Sequence, residues 1–394
     1  MPTLTEIKNL TTGRHSARTM DFDFLRHGLW QHVKTGHIGI QFDDAKTLEI
    51  YSYTHKCMAD GIWDQFTLTA RGLILEPDAK RVVATPFPKF FNWGEFSYDM
   101  PEGAFSVTEK MDGSLGIIFW HNDRWHVSTR GSLMSDQAIW AAAWLEKNVN
   151  TNHLHPGYTY LVEIIYPENR IVISYEFDGL ILLGAYNEFG DEMPFAYLED
   201  VGSVANIQVV EAHEFDSVDE IAAVAKTLSH EREGFVIRFD DGFRMKIKGD
   251  EYCRVHRLVS NVTPLGIWSL MVACDDMDGV RNLLPEEFHR DFNEIHRLLQ
   301  LEFDSRLDEL RIVHEGFAHL SDKELGLALK SNDLEVSTTV KNFIFPCRKK
   351  NLLEEVHEAG KFRTMFFKRF RPSANKLEGY VPSTLLNRFS EESE

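Results

Sequence analysis

Glu109-Lys110-Met111-Asp112-Gly113-Ser114, set between Phe105-Ser106-Val107-Thr108 and Leu115-Gly116-Ile117-Ile118-Phe119, is the stretch on which the reading of the fold turns. The flanking residues predict two strands, and Asp112-Gly113 carries turn chemistry between them. Lys110 would then open onto a cleft while the sheet holds its backbone. That placement suits a nucleophilic amine, which needs a lowered pKa so that a neutral fraction exists near pH 7. Taken alone, K-x-D-G is more simply a solvated lysine beside an ordinary Asp-Gly turn, so its meaning rests on its surroundings.

Outward from this turn, short β-type runs continue from about Glu49 to Lys248: Gly72–Glu76, Arg81–Thr85, Tyr160–Tyr166, Arg170–Tyr175 and Leu180–Leu183. Asn122-Asp123 and Asp241-Gly242 each sit between two such runs and predict hairpins. Helical spacing interrupts the strands over Asp136–Lys147 and Val218–Leu228. After about Glu251 the texture changes to Leu, Glu, Arg and Lys at three- and four-residue intervals, over Glu286–Val313 and Asn351–Phe370. The expectation is an α+β chain with a sheet-rich domain over residues 1–255 and an all-α domain over 256–394.

The 394 residues, 43% hydrophobic and 26% charged, describe a globular chain with sizeable cores. Its balance of 42 basic and 61 acidic residues, net −19, excludes a protein that coats nucleic acid through a uniformly positive surface. A phosphate-bearing partner therefore needs a local basic site. Cys57, Cys253, Cys274 and Cys347 form no C-x-x-C pair, so neither a disulfide framework nor a zinc knuckle is indicated, and reduced thiols in a cytosol fit. The apolar runs are too short to span a bilayer, and neither a signal peptide nor a membrane partner is expected.

Cations and carboxylates recur around Lys110 in a fixed order. Arg71-Gly72 and Lys89-Phe90-Phe91-Asn92 precede it; Ser128-Thr129-Arg130, Leu161-Val162-Glu163, Glu233-Gly234 and Lys246-Ile247-Lys248 follow. Lys246 and Lys248 are two apart on one predicted strand, so both point to one face, where their mutual repulsion would be relieved by a bound polyphosphate. K-x-D-G, then Glu in a strand, then E-G, then K-x-K resembles the covalent nucleotidyltransferase superfamily of DNA ligases, RNA ligases and capping enzymes. Tyr51-Ser52-Tyr53, Arg71–Glu76, Lys89–Asn92, Lys110–Leu115, Pro167–Val172 and Lys246–Lys248 are similar to the bacteriophage RNA ligase 1 family in particular. The similarity runs over roughly residues 45 to 280.

The resemblance implies a nucleotidyltransferase fold of ATP-grasp-like antiparallel sheets, ATP as substrate, and Mg2+ or Mn2+. It implies that Lys110 attacks the α-phosphate to give lysyl-AMP, with Lys246 and Lys248 stabilising charge there and lowering the pKa of Lys110. Glu163 and Arg71 would hold ribose and phosphates, and Glu233 would act through metal or nucleotide contacts. Lys89 and Arg130 would bind phosphate, Tyr53 and Phe91 would line the pocket, and Gly113 and Gly234 belong to the nucleotide-binding motifs. Asp275, in Asp275-Asp276-Met277-Asp278, aligns with a metal-binding carboxylate of the family, although the cluster equally reads as a solvated helix end. Where the family commonly has lysines, this chain has Ser128 and Arg130, and Ser128 supplies no charge.

The function implied is an ATP-dependent RNA ligase joining 5′-phosphate and 3′-hydroxyl ends, with tRNA among the candidate substrates, and working in the cytoplasm, the host's if phage-encoded; the sequence leaves the oligomeric state open, with a monomer as the simplest expectation. The alternatives are another covalent nucleotidyltransferase, such as a DNA ligase or capping guanylyltransferase, or an inactive RNA-binding repair protein. For RNA contact, Lys341, Arg348, Lys349, Lys350, Lys361, Arg363, Lys368, Arg369 and Arg371 outnumber Glu354, Glu355 and Glu358. Phe362, Phe366, Phe367 and Phe370 lie among them, suited either to stacking on bases or to inward packing. His314 with His319, and His153 with His155, lack the spacing or the further ligands of a zinc site.

Overall fold

Strands whose side chains alternate between core and solvent build the first part of the chain. The computed structural model describes residues 4–95, 103–273, 276–284, 288–330, 336–350, 361–372 and 375–382. β1 (Ile38–Phe42), β2 (Glu49–Tyr53), β3 (Arg71–Glu76) and β4 (Arg81–Ala84) form an antiparallel meander. There follow β5 (Phe91–Asn92), β6 (Phe105–Glu109), β7 (Ser114–His121), β8 (Arg124–Thr129), β9 (Thr159–Ile165), β10 (Gly179–Tyr186), β11 (Gln208–Val209), β12 (Ala212–His213), β13 (Gly234–Phe239) and β14 (Arg244–Lys248). These sort into two five-stranded sheets, ordered β11-β10-β9-β7-β8 and β12-β6-β13-β14-β5.

β6 and β7 lie in different sheets. The Lys110–Gly113 segment is therefore the crossover from one sheet to the other and no hairpin turn, which places Lys110 where the two sheets face each other. The hairpins at Asn122-Asp123 and Asp241-Gly242 do form. Asn122 and Asp123 both have positive φ, as a tight two-residue turn between right-twisted strands requires.

Each five-stranded sheet buries one face under helices. Ile118, Val127 and Val162 pack with Ala141, Leu145 and Leu198 from the helices Asp136–Asn148 and Phe195–Ala205. Phe235, Ile237, Met245 and Ile247 pack with Ile221 and Ala225 of Val218–Ala225 and with Ile7 of Leu4–Thr11. Ser135 and Ser217 cap two of these helices, accepting from the amides of Ala138 and Glu220 at 3.2 Å. The meander covers the far side of β7 and β9, where Ile50 and Ile74 meet Ile117, Phe119 and Leu161, and this brings Tyr53 and Arg71 to one end of the inter-sheet space.

The expected strand over Arg170–Tyr175 is not there. The segment is irregular because its amides are taken from outside a sheet: those of Val172 and Ile173 both donate to Asp112 Oδ2 at 2.9 Å. A side chain from the Lys110 crossover has replaced a neighbouring strand.

The chain divides into two compact units, Met1–Cys253 and Arg254–Glu394. Among the described residues of the second unit every regular element is helical. His289–Gly316, its longest helix, buries Phe292, Ile295, Leu299, Phe303, Leu307 and Leu310 at three- and four-residue spacing. Phe366 and Phe367, considered above for base stacking, are 0% and 1% exposed and pack on Phe303. They belong to this core and are closed to a nucleic acid, while Lys368, Arg369 and Arg371 beside them are exposed. The side chains of Phe362 and Phe370 and residues 351–360 lie outside the described residues. No helix among the described residues is long and apolar enough to cross a membrane.

Candidate active site

A cleft of about 600 Å³ runs between the facing sheets, with Lys110, Lys246, Lys248 and Glu163 on its walls. Tyr53, Arg71 and Arg130 line one end; Glu192, Arg238, Arg244 and the apolar Met193, Pro194, Phe195 and Leu198 line the other. On β14 the alternation is strict: Met245 and Ile247 are buried in the core, and Lys246 and Lys248 face the cleft.

Lys110 is held from both ends. Its amide donates to Gly234 O at 2.8 Å, extending the β6–β13 ladder by one residue. Its ammonium lies 2.8 Å from Glu233 Oε2, and the other oxygen of that buried carboxylate lies 2.8 Å from Lys248 Nζ. Glu233 thus spaces two cleft cations from behind the wall. Gly234 has φ +139°, and a Cβ there would stand 2.0 Å from Ile247 O, so only glycine lets β13 and β14 close at this point. Gly113 answers the same need across the cleft, where a Cβ would lie 2.6 Å from Ile164 O and 3.1 Å from Glu163 Cγ.

Among the described residues Lys246 makes no such ion pair. Burial, reinforced by Lys89, Lys110, Lys248 and Arg71, pulls its pKa down to about 7. Glu163 moves the opposite way: burial pushes its carboxyl up to about 7, with Lys110 opposing the shift and Glu233 adding to it. The cleft thus holds an amine and an acid that both titrate near neutrality.

Asp112 turns out to be a structural member of the K-x-D-G motif. Its carboxylate is 4% exposed and accepts from the amides of Val172 and Ile173, and from Tyr252 Oη at 2.7 Å. Its own amide donates to Tyr175 Oη at 2.9 Å. Ser114 Oγ donates to Asn169 Oδ1 at 2.9 Å, and Asn169 Nδ2 donates to Ile164 O at 2.7 Å. Asn169, Tyr175 and Tyr252 received no role from sequence reasoning, because nothing local signals that residues 55 to 140 positions away meet the Lys110–Ser114 segment.

At the Tyr53 end, Arg130 lies 5.0 Å over the Tyr53 ring and Arg71 5.1 Å over Phe90. Burial lowers the pKa of Arg71, whose Nη1 is buried without a hydrogen-bond partner. Ser128 is fully buried, donating to Thr129 O at 2.7 Å, so its position faces the interior while Arg130 reaches the cleft. Phe91 and Lys89 do not line the cleft: Phe91 is 4% exposed in the core, and Lys89 lies 4.8 Å over its ring.

Two further ion-paired clusters were not legible in the sequence. Glu109, next to Lys110, takes both Arg232, with Nε at 3.0 Å, and His213 Nε2 at 2.8 Å. Glu192 pairs with Arg244 and with Arg238 at 3.1 Å, tying the β10 side of the cleft to β13 and β14.

No group of three or more metal-ligating side chains occurs among the described residues, and Asp275 lies outside them. Asp276 caps the helix Met277–Arg281 by accepting from the Gly279 amide at 2.8 Å. Glu163, on the cleft wall and with its carboxyl pushed up by burial, fits a divalent cation held by one or two carboxylates and completed by phosphate oxygens and water, the usual habit of Mg2+.

Residues 69–252 match a family described as RNA ligase. The RNA ligase of Rhodothermus phage RM378 is 21% identical over 353 residues, covering 69% of this chain and 78% of that protein. A putative bifunctional polynucleotide kinase/RNA ligase of Autographa californica nuclear polyhedrosis virus is 28% identical over 222 residues, covering 48% of this chain but only 30% of the viral protein. Among solved structures, an archaeal ATP-dependent RNA ligase aligns with a TM-score of 0.46 and 15% identity over 75% of this chain and 83% of that one. The stretch that matches the RNA ligase family, residues 69–252, contains Lys110, Asp112, Glu163, Glu233, Lys246 and Lys248.

Proposed function

We propose that the chain is an ATP-dependent RNA ligase that joins a 5′-phosphate to a 3′-hydroxyl through lysyl-AMP. The observation that carries this reading is the Lys110–Glu233–Lys248 chain at a sheet crossover inside a cleft lined by Lys246 and Glu163. Lys110, once its ammonium gives up a proton, attacks the α-phosphorus; the P–N bond forms as the bond to pyrophosphate breaks. AMP then passes to the RNA 5′-phosphate, and the 3′-hydroxyl displaces AMP. Lys246 and Lys248, fixed on one face of β14, meet the charge that develops on the α-phosphate without needing to reorganise. A bound Mg2+ or Mn2+ near Glu163 and Glu233 would offset triphosphate charge. Arg71 and Arg130, which line the cleft, supply cations for the remaining phosphates, and the exposed cations of the second unit supply a local surface for RNA.

The helical second unit favours this reading over a DNA ligase or capping enzyme, which usually follow K-x-K with a β-barrel. An inactive scaffold has no use for an amine held this way. Incubation with α-labelled ATP or GTP and a divalent metal, followed by denaturation, tests it. An acid-labile label from ATP is expected, with joining of RNA ends in a parallel assay. No label with any metal rejects the enzyme reading, and preference for GTP points to capping.

Lys246 also makes a calorimetric prediction. At pH 8 an amine with a pKa of about 7 is mostly neutral, and a phosphate beside it raises that pKa, so ATP binding takes up a fraction of a proton approaching one. Binding heats in two buffers of different ionisation enthalpy, in a Lys110→Ala background that blocks turnover, should show uptake at pH 8. Uptake should shrink below pH 6.5 and vanish in Lys246→Arg, which is charged throughout.

A further inference from the structure

Arg244, Lys246 and Lys248 occupy alternate positions of β14, so all three project into the cleft from one face of the strand. A polyanion laid along such a row can settle over more than one pair of cations. The two outer members are each held by a buried carboxylate. Lys248 lies 2.8 Å from Glu233 Oε1, and Arg244 donates to both oxygens of Glu192, with Nη1 2.9 Å from Oε2. Lys246, between them, makes no ion pair among the described residues.

Glu192 serves a second guanidinium as well. Arg238 on β13 is the cross-strand partner of Arg244, and like charges placed directly opposite repel. Arg238 Nε lies 3.1 Å from Glu192 Oε2, so one carboxylate compensates both arginines. Burial works against the charge of Glu192, yet the two arginines hold its pKa below the ordinary glutamate value. The segment that carries Glu192 is also fixed by contacts of its own. Glu192 bridges to Tyr186 at the end of β10, the His15 amide donates to Gly190 O at 2.8 Å, and Arg14 pairs with Asp191 at 2.6 Å. Its carboxylate therefore meets the arginines on a backbone already held in place.

We infer that Glu192 is a positioning residue that withdraws Arg238 and Arg244 from phosphate binding and so sets the register of a nucleoside triphosphate along β14, an inference that rests on the ligase reading above. Lys246 is the cation left for the phosphate. Glu192 touches no reacting atom; it cancels charge where a second, unproductive site would otherwise form.

Unproductive binding has a kinetic signature, because it lowers the maximal rate and the KM by one factor and leaves their ratio unchanged. Glu192→Gln keeps the shape of the side chain and removes its charge. In lysyl-AMP formation the maximal rate and the KM for ATP should both fall by roughly tenfold, with kcat/KM within about twofold of wild type. In a Lys110→Ala background, which blocks transfer, the same substitution should tighten binding of inorganic tripolyphosphate by roughly tenfold at low salt. If Glu192→Gln does not fold, Glu192→Gln/Arg244→Gln, which leaves only Arg238 without its carboxylate, should show both effects at about threefold. A fall in kcat/KM with unaltered tripolyphosphate binding would assign Glu192 to sheet closure alone, and unchanged kinetics would likewise overturn the inference. Failure of the ligase reading is distinct: the wild-type protein would then take up no label from any nucleotide.

Discussion

Lys110→Ala is expected to reduce covalent labelling by ATP by a factor of roughly 10³ or more, because no other amine can take its place. Lys246 and Lys248 remain in the cleft, but they stand on β14, which β13 separates from β6 within the same sheet. Neither shares the crossover that carries Lys110. The loss should fall on chemistry and not on folding. Glu233, the buried partner of Lys110, keeps its second ion pair to Lys248 at 2.8 Å, so no carboxylate is stranded. Sealing of a pre-adenylylated RNA, which has already passed the lysyl-AMP stage, should decline far less. Persistent label in Lys110→Ala, mapped by peptide analysis to another lysine, would reject Lys110 as nucleophile.

Asp112→Ala should unfold more readily than any variant of the surface motifs. The carboxylate is buried and satisfies the amides of Val172 and Ile173 as well as Tyr252 Oη. Alanine strands three donors, each at about 1–3 kcal/mol, so a loss of roughly 3–5 kcal/mol and a fall in Tm of about 10 °C follow for a unit of this size. The crossover that carries Lys110 loses its anchor at the same time, so adenylylation falls too. Asp112→Asn should be intermediate in stability, since an amide offers one acceptor oxygen and turns its NH2 group toward donors. Thermal melts and label incorporation measured on both variants check the pair. A Tm for Asp112→Ala within about 2 °C of wild type would contradict the clamp.

The same residue marks where local sequence stops being informative. K-x-D-G is readable as a lysine presented by strands, and the flanking periodicity shows those strands. That Asp112 is a clamp and not a turn residue depends on Val172, Ile173 and Tyr252 arriving from elsewhere. For the same reason Arg170–Tyr175 reads as a strand from its β-branched residues but is irregular in the fold. Its amides are bonded to a carboxylate before they can find a ladder. Phe366 and Phe367 show the converse limit: an interleaved basic-aromatic run is compatible with stacking on RNA, and only the packing on Phe303 shows that these two rings are already used.

What the sequence determined by itself was the chemistry on offer: an amine in K-x-D-G, two lysines on one face of a strand, acids in strands, and a change from period two to a helical period near residue 251. Those follow from local rules, because side-chain direction and turn preference are set within a few residues. Tertiary structure alone decided which charges meet. It put Glu233 between Lys110 and Lys248, buried Lys246 among other cations, gave Arg232 and His213 to Glu109, and set Lys89 against the rings of Tyr53, Trp63 and Phe91. A net charge of −19 says nothing of this, since electrostatic energy depends on distance and burial, and both are set only when sheets distant in sequence close on each other.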